Sequence, residues 1–246
     1  MSTEMTHPAQ RLKAWWRQLG HAVPTRCWLC RSWQHQSLCA ACRSTFRPNV
    51  GRCRVCGLHA AVSICTDCQQ VHPPFARTCV AVDYEAPWSG LIRRFKTPDG
   101  ALLAPVLAGL MVESLSTVDS GPPPARLIPV PLTPRRLAEH GHNPAWELAR
   151  RVGSALQIES RADWAERCRE TPHQRGLDRT ARQHNLDGAF IVTPTGRQAL
   201  RGQAVAIVDD VMTTGATVAE LARTLQRAGA TEVAVWVLAR TPRQGW

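Results

Sequence analysis

Apolar and polar residues alternate along the last two thirds of the chain with two different periods. Short apolar runs rich in β-branched residues predict strands, and apolar residues three or four positions apart predict the helices between them. The predicted strands are 78–82, 127–131, 189–193, 204–208 and 232–238, and the predicted helices are 87–95, 102–115, 144–156, 177–184 and 218–228. Strands that alternate with helices in this way are typical of an α/β domain with a mostly parallel sheet.

Capping and turn residues mark several boundaries in this pattern. Asn143 followed by Pro144 indicates a helix start, because the asparagine side chain accepts hydrogen bonds from the first turn and proline fits the first helical position. Gly229 is placed to end a helix. The run Gly121-Pro-Pro-Pro indicates a linker.

The first third of the chain has a different character. Leu12, Trp15, Leu19 and Val23 recur at helical spacing, which predicts a short helix that packs on the segment behind it. The following segment holds most of the cysteines. We therefore expect an N-terminal helix or leader over residues 1–23, a cysteine-rich module over residues 24–72 and the α/β domain over residues 75–246.

Eight of the ten cysteines form an internal repeat. Each of the first four recurs 26 positions later, so the pattern C-x2-C-x8-C-x2-C occurs twice. A C-x-x-C pair turns two sulfurs toward one point, and two such pairs complete a four-thiolate zinc centre. We therefore predict a double zinc ribbon with two structural zinc ions. The predicted ligands are Cys27, Cys30, Cys39, Cys42, Cys53, Cys56, Cys65 and Cys68.

The repeat leaves open which cysteines share an ion. In a sequential pairing, each half of the repeat holds one ion. In a nested pairing, the outer C-x-x-C pairs share one ion and the inner pairs share the other. A cross-brace is the third arrangement. Iron–sulfur ligation and a redox dithiol are the alternatives to zinc. A four-thiolate zinc centre has no place for a water ligand, so we expect structural rather than catalytic metal. Gly57, directly after Cys56, suits the tight turn of such a site.

The composition adds an excess of positive charge. The 246 residues include 30 Lys and Arg against 19 Asp and Glu, and all of these cations except Lys13 and Lys96 are arginines. Arginine forms paired hydrogen bonds with phosphates, so a phosphate-rich partner fits this composition. Residues 1–72 carry nine of the cations against Glu4 and Asp67, but two zinc–thiolate centres would offset part of that charge. Nucleic-acid binding and pure scaffolding therefore both fit the cysteine-rich module.

The apolar segments are short. The longest apolar run, residues 102–112, contains Pro105 and falls short of the roughly 20 residues that a membrane-spanning helix needs. The start of the sequence lacks the apolar stretch of a secretory signal. We therefore expect no membrane insertion and a cytoplasmic, reducing location, in which thiols stay free of disulfides.

The most informative stretch is 205–217, where an apolar strand leads into two adjacent aspartates, a Thr/Gly loop and a helix. In open parallel sheets, ligands bind beyond the carboxyl ends of the strands. Asp209 and Asp210 can there accept hydrogen bonds from the vicinal hydroxyls of a sugar, or hold Mg²⁺. The amide groups of a loop that starts a helix suit a phosphate, and Gly215 lets the backbone approach it closely. The stretch therefore predicts a site for a 5-phosphoribosyl group.

This stretch resembles the phosphoribosyl diphosphate (PRPP) signature of type I phosphoribosyltransferases. With the cysteine repeat, and with segments such as Ile128-Pro-Val-Pro131, the whole chain resembles the ComF/GntX family of competence and DNA-utilisation proteins. The resemblance implies a type I phosphoribosyltransferase-like fold, PRPP or a related phosphoribosyl ligand with Mg²⁺, and a role in DNA uptake or use. This role suggests single-stranded DNA as a partner, and an assembly subunit whose ribbons contact a helicase-like competence protein is a separate option. A catalytically active phosphoribosyltransferase that acts on an unknown base or acceptor is the alternative.

The resemblance also implies roles for individual residues. Asp209 and Asp210 would hold the ribose hydroxyls, and the loop behind them would hold the 5-phosphate. The implied PRPP-binding residues are Asp209, Asp210, Val211, Met212, Thr213, Thr214, Gly215, Ala216 and Thr217, and the candidates for the pyrophosphate side are Lys96, Val130, Pro131, Arg135 and Arg136. The family segment Arg-Gly-Phe-Asn-Gln reads His140-Gly-His-Asn-Pro144 here, so a permanent cation is missing from a loop expected to face the pyrophosphate.

Overall fold

The chain forms two compact units, Met1–Pro48 and Asn49–Trp246. The computed structural model describes residues 24–47, 50–117, 122–169 and 188–243. The boundary between the units lies between the two halves of the cysteine repeat, so the second four cysteines belong to the same unit as the main sheet. The predicted N-terminal helix lies outside the described residues.

The first unit is a small cysteine-rich fold. Strands β1 (Thr25–Arg26) and β2 (Trp33–Gln34) pair antiparallel, and helix α1 (Ala40–Phe46) follows them. The Sγ atom of Cys39 caps this helix by accepting a hydrogen bond from the Cys42 amide at 3.3 Å. A cysteine at a helix N-cap is thereby directed to the same point as the cysteine of the next turn.

The second cysteine segment repeats this arrangement within the larger unit. Arg52 and His59 form a single antiparallel bridge, and helix α2 (Thr66–Val71) starts after Cys65. The amide of Cys53 donates to the Leu58 carbonyl at 2.8 Å, as the amide of Cys27 donates to the Ser32 carbonyl at 2.9 Å in the first unit. The repeat seen in the sequence is therefore also a repeat of backbone structure.

The larger unit is built on a five-stranded parallel sheet. Its strand order is β3-β9-β8-β4-β5, and every neighbouring pair is parallel. These strands are β3 (Arg77–Asp83), β4 (Arg126–Pro129), β5 (Glu159–Ser160), β8 (Ala204–Met212) and β9 (Glu232–Arg240). Two further strands, β6 (Ala165–Arg167) and β7 (Phe190–Val192), form a separate antiparallel pair. The predicted mostly parallel α/β sheet is confirmed.

Helices connect these strands. They are α3 (Trp88–Phe95), a 3₁₀ segment (Pro98–Leu103), α4 (Ala104–Thr117), α5 (Pro134–His140), α6 (Pro144–Leu156), α7 (Pro194–Leu200) and α8 (Ala216–Arg227). Four of them (α3, α4, α6 and α8) correspond to helices that the sequence pattern predicts. Asn143 caps α6 as predicted, because its Oδ1 accepts hydrogen bonds from the amides of Ala145 and Trp146. The helix predicted over residues 177–184 lies outside the described residues.

The core lies between the sheet and its helices. Alternate residues of β8 and β9 pack with the apolar side of α8, as the two-residue period of a strand requires. Leu221 and Leu225 of α8 and Ile207 of β8 are fully buried there. Burial of one such side chain contributes roughly 1.5–3 kcal/mol, so this packing holds α8 firmly over the end of β8. Helices α4 and α6 pack against each other and against the sheet.

One helical stretch, Pro98–Thr117, is long and apolar enough by length and composition to cross a membrane. It comprises the 3₁₀ segment and α4, and half of its most apolar part is buried inside the protein. Leu103, Leu107 and Leu110 are fully buried in the core. These contacts are those of a core helix, in which the apolar surface already has a protein partner.

Candidate functional site

The acidic pair lies at a step in the sheet. Strand β4 ends at Pro129, opposite Val208, but β8 continues beside β9 to Met212. The predicted end of this strand at residue 208 is therefore wrong, because β9 extends as far as Arg240 and keeps β8 hydrogen-bonded. Asp209 and Asp210 consequently lie within β8, where the β4 side of the strand has lost its neighbour. This step opens the crevice in which open parallel sheets bind ligands.

Both aspartates are buried, with 9% of their surface exposed. Asp209 Oδ1 accepts a hydrogen bond from the Asp210 amide at 2.9 Å, and Asp210 Oδ1 accepts one from the Val211 amide at 3.0 Å. Burial and the neighbouring Asp210 charge raise the pKa of Asp209 well above its ordinary value. A ligand with paired hydroxyls would give these carboxylates the donors that water supplies to an exposed acid.

Lys96 brings a positive charge to the pair. Its Nζ lies 2.8 Å from Asp210 Oδ2. Burial alone would lower the pKa of Lys96, but the charge of Asp210 outweighs it, so the net shift raises that pKa. Lys96 directly follows α3, and it is the predicted pyrophosphate-side residue that the structure brings to the aspartates.

The loop after β8 presents backbone amides at the start of α8. Gly215 has φ +84°, and a Cβ there would lie 2.7 Å from the Met212 methyl group, so the turn requires glycine. Thr214 Oγ1 accepts a hydrogen bond from the Ala216 amide at 3.3 Å. The amides of a helix's first turn have no acceptor within the helix, and the helix dipole favours an anion beside them. The loop thus presents backbone amides that could bind an anion next to the carboxylates.

The opposite wall of the crevice is the turn after β4. The amide of Val130 donates to the Val208 carbonyl at 2.9 Å, and the carbonyl of Val130 accepts a hydrogen bond from Asn143 Nδ2 at 3.1 Å. Val130 and Pro131 are buried there. Asn143 therefore connects this turn to the start of α6 by a hydrogen bond. The sequence predicted only its role as a helix cap.

The two arginines predicted for the pyrophosphate side lie on α5. Arg135 is exposed and pairs with Glu139 on the same helix at 3.0 Å. Arg136 is half-buried, and its amide donates to the Thr133 hydroxyl at 3.5 Å. These contacts are with residues of α5 and its cap, whereas Lys96 contacts the acidic pair itself.

Two histidines, His140 and His142, flank Gly141 directly before Asn143. Among the described side chains, Nδ1 of His140 and both ring nitrogens of His142 are buried without a hydrogen-bond partner. His142 packs on Phe95, with ring centroids 5.6 Å apart. Burial and the positive charge of Lys96 lower the pKa of His140. His140 therefore carries a positive charge less readily than a free imidazole does.

The eight repeated cysteines form two clusters. In each cluster, the four Sγ atoms all lie within 4.8 Å of one another. The pairing is sequential, with Cys27, Cys30, Cys39 and Cys42 in one cluster and Cys53, Cys56, Cys65 and Cys68 in the other. This excludes the nested and cross-brace arrangements for the structure described.

The geometry of these clusters fits zinc. Sulfurs of Cys30 and Cys39, and those of Cys56 and Cys65, are 3.7 Å apart. Tetrahedral zinc with bonds of about 2.3 Å would place its sulfurs about 3.8 Å apart. With no cation among the thiols, burial and the neighbouring cysteines raise the pKa of Cys42 to about 12. A divalent cation removes that cost, so each cluster is suited to a structural metal ion.

The second cluster is joined to the sheet by polar contacts that sequence reasoning missed. Arg52 donates two hydrogen bonds of 2.9 Å to the carboxylate of Asp83, and His59 Nε2 lies 2.9 Å from the same carboxylate. The Thr78 amide donates to the Arg54 carbonyl at 2.7 Å. Arg52 thus binds a carboxylate of β3 and connects the second cluster to the sheet.

A cavity of about 100 Å³ lies between this cluster and the start of α8. It is lined by Cys56, Cys68, Phe75, Met212, Gly215 and Arg240, among others. Neither aspartate nor Lys96 lines it. The cavity is therefore behind the phosphate loop rather than in the crevice that contains the acidic pair.

Comparison with known proteins identifies the family. Residues 145–245 match the family described as "Phosphoribosyl transferase domain". The chain is 35% identical over 227 residues to "DNA utilization protein YhgH" of Salmonella typhi, an alignment that covers 89% of this chain and 98% of that protein. It is 31% identical over 223 residues to "Competence protein F" of Haemophilus influenzae, covering 87% and 96%. The chain belongs to this DNA-utilisation and competence family.

This membership confirms the resemblance to the ComF/GntX family and the phosphoribosyltransferase-like fold. Among solved structures, the chain is similar to adenine phosphoribosyltransferase from Thermoanaerobacter pseudethanolicus, with 13% identity, a TM-score of 0.36, and coverage of 58% of this chain and 85% of that one. For glutamine PRPP amidotransferase from B. subtilis the identity is 20%, the TM-score 0.36, and the coverage 55% and 26%. A phosphoribosyltransferase-like domain implies a phosphoribosyl ligand and suggests Mg²⁺.

Proposed function

We propose that this protein acts in DNA uptake or use by binding PRPP with Mg²⁺ in the crevice at Asp209 and Asp210, and single-stranded DNA through its first unit. The observation that carries the PRPP proposal is the juxtaposition of two buried carboxylates, Lys96 and an amide-lined loop at the step in the sheet. A sugar diol, a diphosphate and a 5-phosphate need these three kinds of group. We place this activity in the cytoplasm, with a helicase-like competence protein as the expected partner.

Each group has a distinct task in this proposal. Asp209 and Asp210 accept hydrogen bonds from the ribose hydroxyls, and the loop 213–217 donates to the 5-phosphate. Lys96 pairs with Asp210, so it neutralises this carboxylate before the ligand arrives and is available to the pyrophosphate afterwards. Bound Mg²⁺ would supply positive charge to the pyrophosphate oxygens.

Titration calorimetry with PRPP, with and without Mg²⁺, tests this proposal. We expect magnesium-dependent binding, and we expect Asp209→Asn together with Asp210→Asn to weaken it by about 100-fold or more, since each lost charge-assisted hydrogen bond is worth roughly 1.5–3 kcal/mol. Asp163→Asn is the matched control, because Asp163 is an exposed aspartate that pairs with Arg161 outside the crevice. Undiminished binding by the double variant would refute the assignment.

The single-stranded DNA proposal rests on a comparison between the halves of the repeat. Arg52 lies 26 positions after Arg26, and His59 lies 26 positions after Trp33, so these residues are equivalent in the repeat. In each half, the arginine pairs with the second residue across two antiparallel segments. In the second half, this pair holds the carboxylate of Asp83. In the first half, the Arg26 guanidinium lies 4.6 Å from the Trp33 ring centre, and Trp33 is 67% exposed.

The chemistry of the first pair suits a nucleic acid strand. An exposed indole provides a stacking platform for an unpaired base, and arginine beside it binds phosphate. Residues 24–47 contain no Asp or Glu, and their basic residues are Arg26, Arg31, Arg43 and Arg47. A duplex buries its base faces by stacking, so these features favour single strands over double-stranded DNA.

A second candidate function is transfer of the 5-phosphoribosyl group to an acceptor. The same crevice would hold the substrate, but departing pyrophosphate needs cations to take up its charge. The lowered pKa of His140, where the family resemblance implies arginine, leaves less positive charge for this step and favours ligand binding over turnover. Pyrophosphate release that depends on an added base or other acceptor would establish the transferase instead.

A further inference from the structure

Arg240, the last residue of β9, connects the second cysteine cluster to the phosphate loop. It is 3% exposed. Its Nε donates to the Cys56 carbonyl at 2.9 Å, and its Nη1 donates to the Met212 carbonyl at 2.9 Å and to the Thr213 carbonyl. One rigid guanidinium therefore binds the backbone of a metal-ligand residue and the backbone at the start of the loop.

A cavity lies between the second cysteine cluster and the loop after β8, so the hydrogen bonds of Arg240 cross a region that is not fully packed. The cavity of about 100 Å³ separates the loop from the cysteine cluster, so side-chain packing does not fill this region. Arg240 lines the cavity together with Cys56, Met212 and Gly215. Hydrogen bonds from its guanidinium span from the Cys56 wall to the Met212 wall, and beside them the ion pair between Arg243 and Asp67 joins the segment after β9 to α2.

The charge of the cluster affects how well the buried guanidinium is tolerated. A buried cation is costly unless opposite charge lies near it. Four thiolates around one Zn²⁺ carry a net charge of about −2, whereas four protonated thiols carry none. The metal-loaded cluster therefore both fixes the Cys56 carbonyl and compensates the charge of Arg240.

We infer that Arg240 is a positioning residue through which the metal-loaded second cluster holds the phosphate loop in its binding conformation. The inference rests on the proposed function where it concerns PRPP, because it assigns the 5-phosphate to that loop. It predicts an asymmetry between the halves of the repeat. Loss of metal from the second cluster loosens the loop and weakens PRPP binding, whereas loss of metal from the first cluster does neither.

The internal repeat offers a matched pair of variants. Cys39→Ser and Cys65→Ser remove equivalent ligands, 26 positions apart, each at the N-cap of a short helix. We expect metal analysis to show one ion lost from each variant. In Cys65→Ser, hydrogen–deuterium exchange of the peptide 211–219 should become about tenfold faster or more, and PRPP affinity should fall by a similar factor. In Cys39→Ser, both the exchange rate and the affinity should stay within about twofold of wild type.

The substitution Arg240→Lys tests the connection between Cys56 and the loop after β8 while leaving every cysteine ligand unchanged. Lysine keeps the charge but cannot bind both sets of carbonyls, because it lacks the planar fork of arginine. We expect both ions to be retained, exchange of 211–219 to be faster, and exchange of β3 and single-stranded DNA affinity to be unchanged. A purely structural role of Arg240 would instead speed exchange throughout the sheet.

The two readouts separate the inference from the proposed function. If Cys65→Ser loses its ion and 211–219 exchanges as in Cys39→Ser, the inference is wrong. Unchanged exchange of 211–219 in Arg240→Lys, or equally faster exchange of the whole sheet, also overturns it. If exchange responds as expected but wild-type protein binds no PRPP, the link through Arg240 stands and the assigned ligand is wrong.

Discussion

Asp209 occupies a position in β8 where its neighbours on either side are mostly apolar and buried. Its raised pKa means that the folded protein binds a proton more tightly than the unfolded chain does. Between the unfolded pKa of about 3.9 and the raised folded pKa, stability therefore falls as pH rises. The carboxylate of Asp209 thus lowers the stability of the fold in this pH range, a cost consistent with the proposed role in ligand binding.

We therefore expect Asp209→Asn to stabilise the protein. Asparagine keeps the size and the acceptor oxygen but carries no charge, so the free energy of unfolding near pH 7 should rise by about 0.5–2 kcal/mol. Urea unfolding of both proteins at several pH values checks this. The difference should be small near pH 4 and grow as pH increases. A constant difference across this range would show that the charge of Asp209 is not its cause.

Single residues also show how far sequence reasoning reaches. The aspartates and the eight cysteines were found because each set is a local pattern whose chemistry needs close spacing. Arg240 was missed because its partner Cys56 is 184 positions away, and a basic residue ending an apolar strand carries no local signal. Asp83 was missed for the same reason, since Arg52 lies 31 positions before it.

At the scale of elements, the two cysteine turns differ in what packs against them. Arg31 and Gly57 are equivalent in the repeat and both have positive φ, +64° and +71°. Gly57 faces β3, where a Cβ would lie 2.5 Å from Val80 Cγ2 and 3.1 Å from Thr78 Cγ2. Glycine is thus required in the second turn by contact with the sheet as well as by its backbone angle.

Gly57→Ala should therefore destabilise the larger unit, because the added methyl group clashes with the side chain of Val80 and strains the turn. We expect a loss of about 1–3 kcal/mol in the free energy of unfolding. Thermal and urea unfolding measure it. Gly90→Ala is the control, because Gly90 lies in α3 and a Cβ added there would have no atom within 4 Å. This substitution should raise the free energy of unfolding by about 0.5–1 kcal/mol, since alanine favours a helix more than glycine does. Equal effects of the two substitutions would contradict the proposed contact.

The elements that the sequence pattern missed are short and polar. Helices α5 and α7 have seven residues each, too few to show a helical period. Their signal lay in the caps, since Thr133-Pro134 and Thr193-Pro194 both place a threonine N-cap before a first-turn proline. The long helices and central strands were predicted because buried residues recur along them.

At the scale of the whole molecule, the two halves of the cysteine repeat have separate structural settings. The second half is attached to the sheet through Arg52, His59 and Arg240, whereas the equivalent Arg26 and Trp33 belong to the other unit. Duplication thus provides one copy that is attached to the sheet and one copy whose corresponding face carries an exposed tryptophan.

We expect Trp33→Ala to weaken single-stranded DNA binding about 5- to 100-fold, because stacking of one base on an aromatic ring is worth roughly 1–3 kcal/mol. Trp33→Phe should keep most of the affinity, and His59→Ala, at the equivalent position of the other half, should change it little. Fluorescence anisotropy with a labelled oligonucleotide measures all three. Affinity should also fall as salt rises. Equal losses for Trp33→Ala and His59→Ala would remove the first unit from the proposal.

The position of β9 has a consequence for synthesis of the protein. This strand is translated after every other described strand, yet it lies between β3 and β8 in the finished sheet. About 170 residues separate Cys68 from Arg240, so at about 5–20 residues per second the ribosome needs roughly 10–35 s to make them. During that time, the second cysteine cluster cannot dock through Arg240. The four cysteines can therefore meet their metal ion before the link to the loop after β8 exists, and that link forms only once β9 has been made.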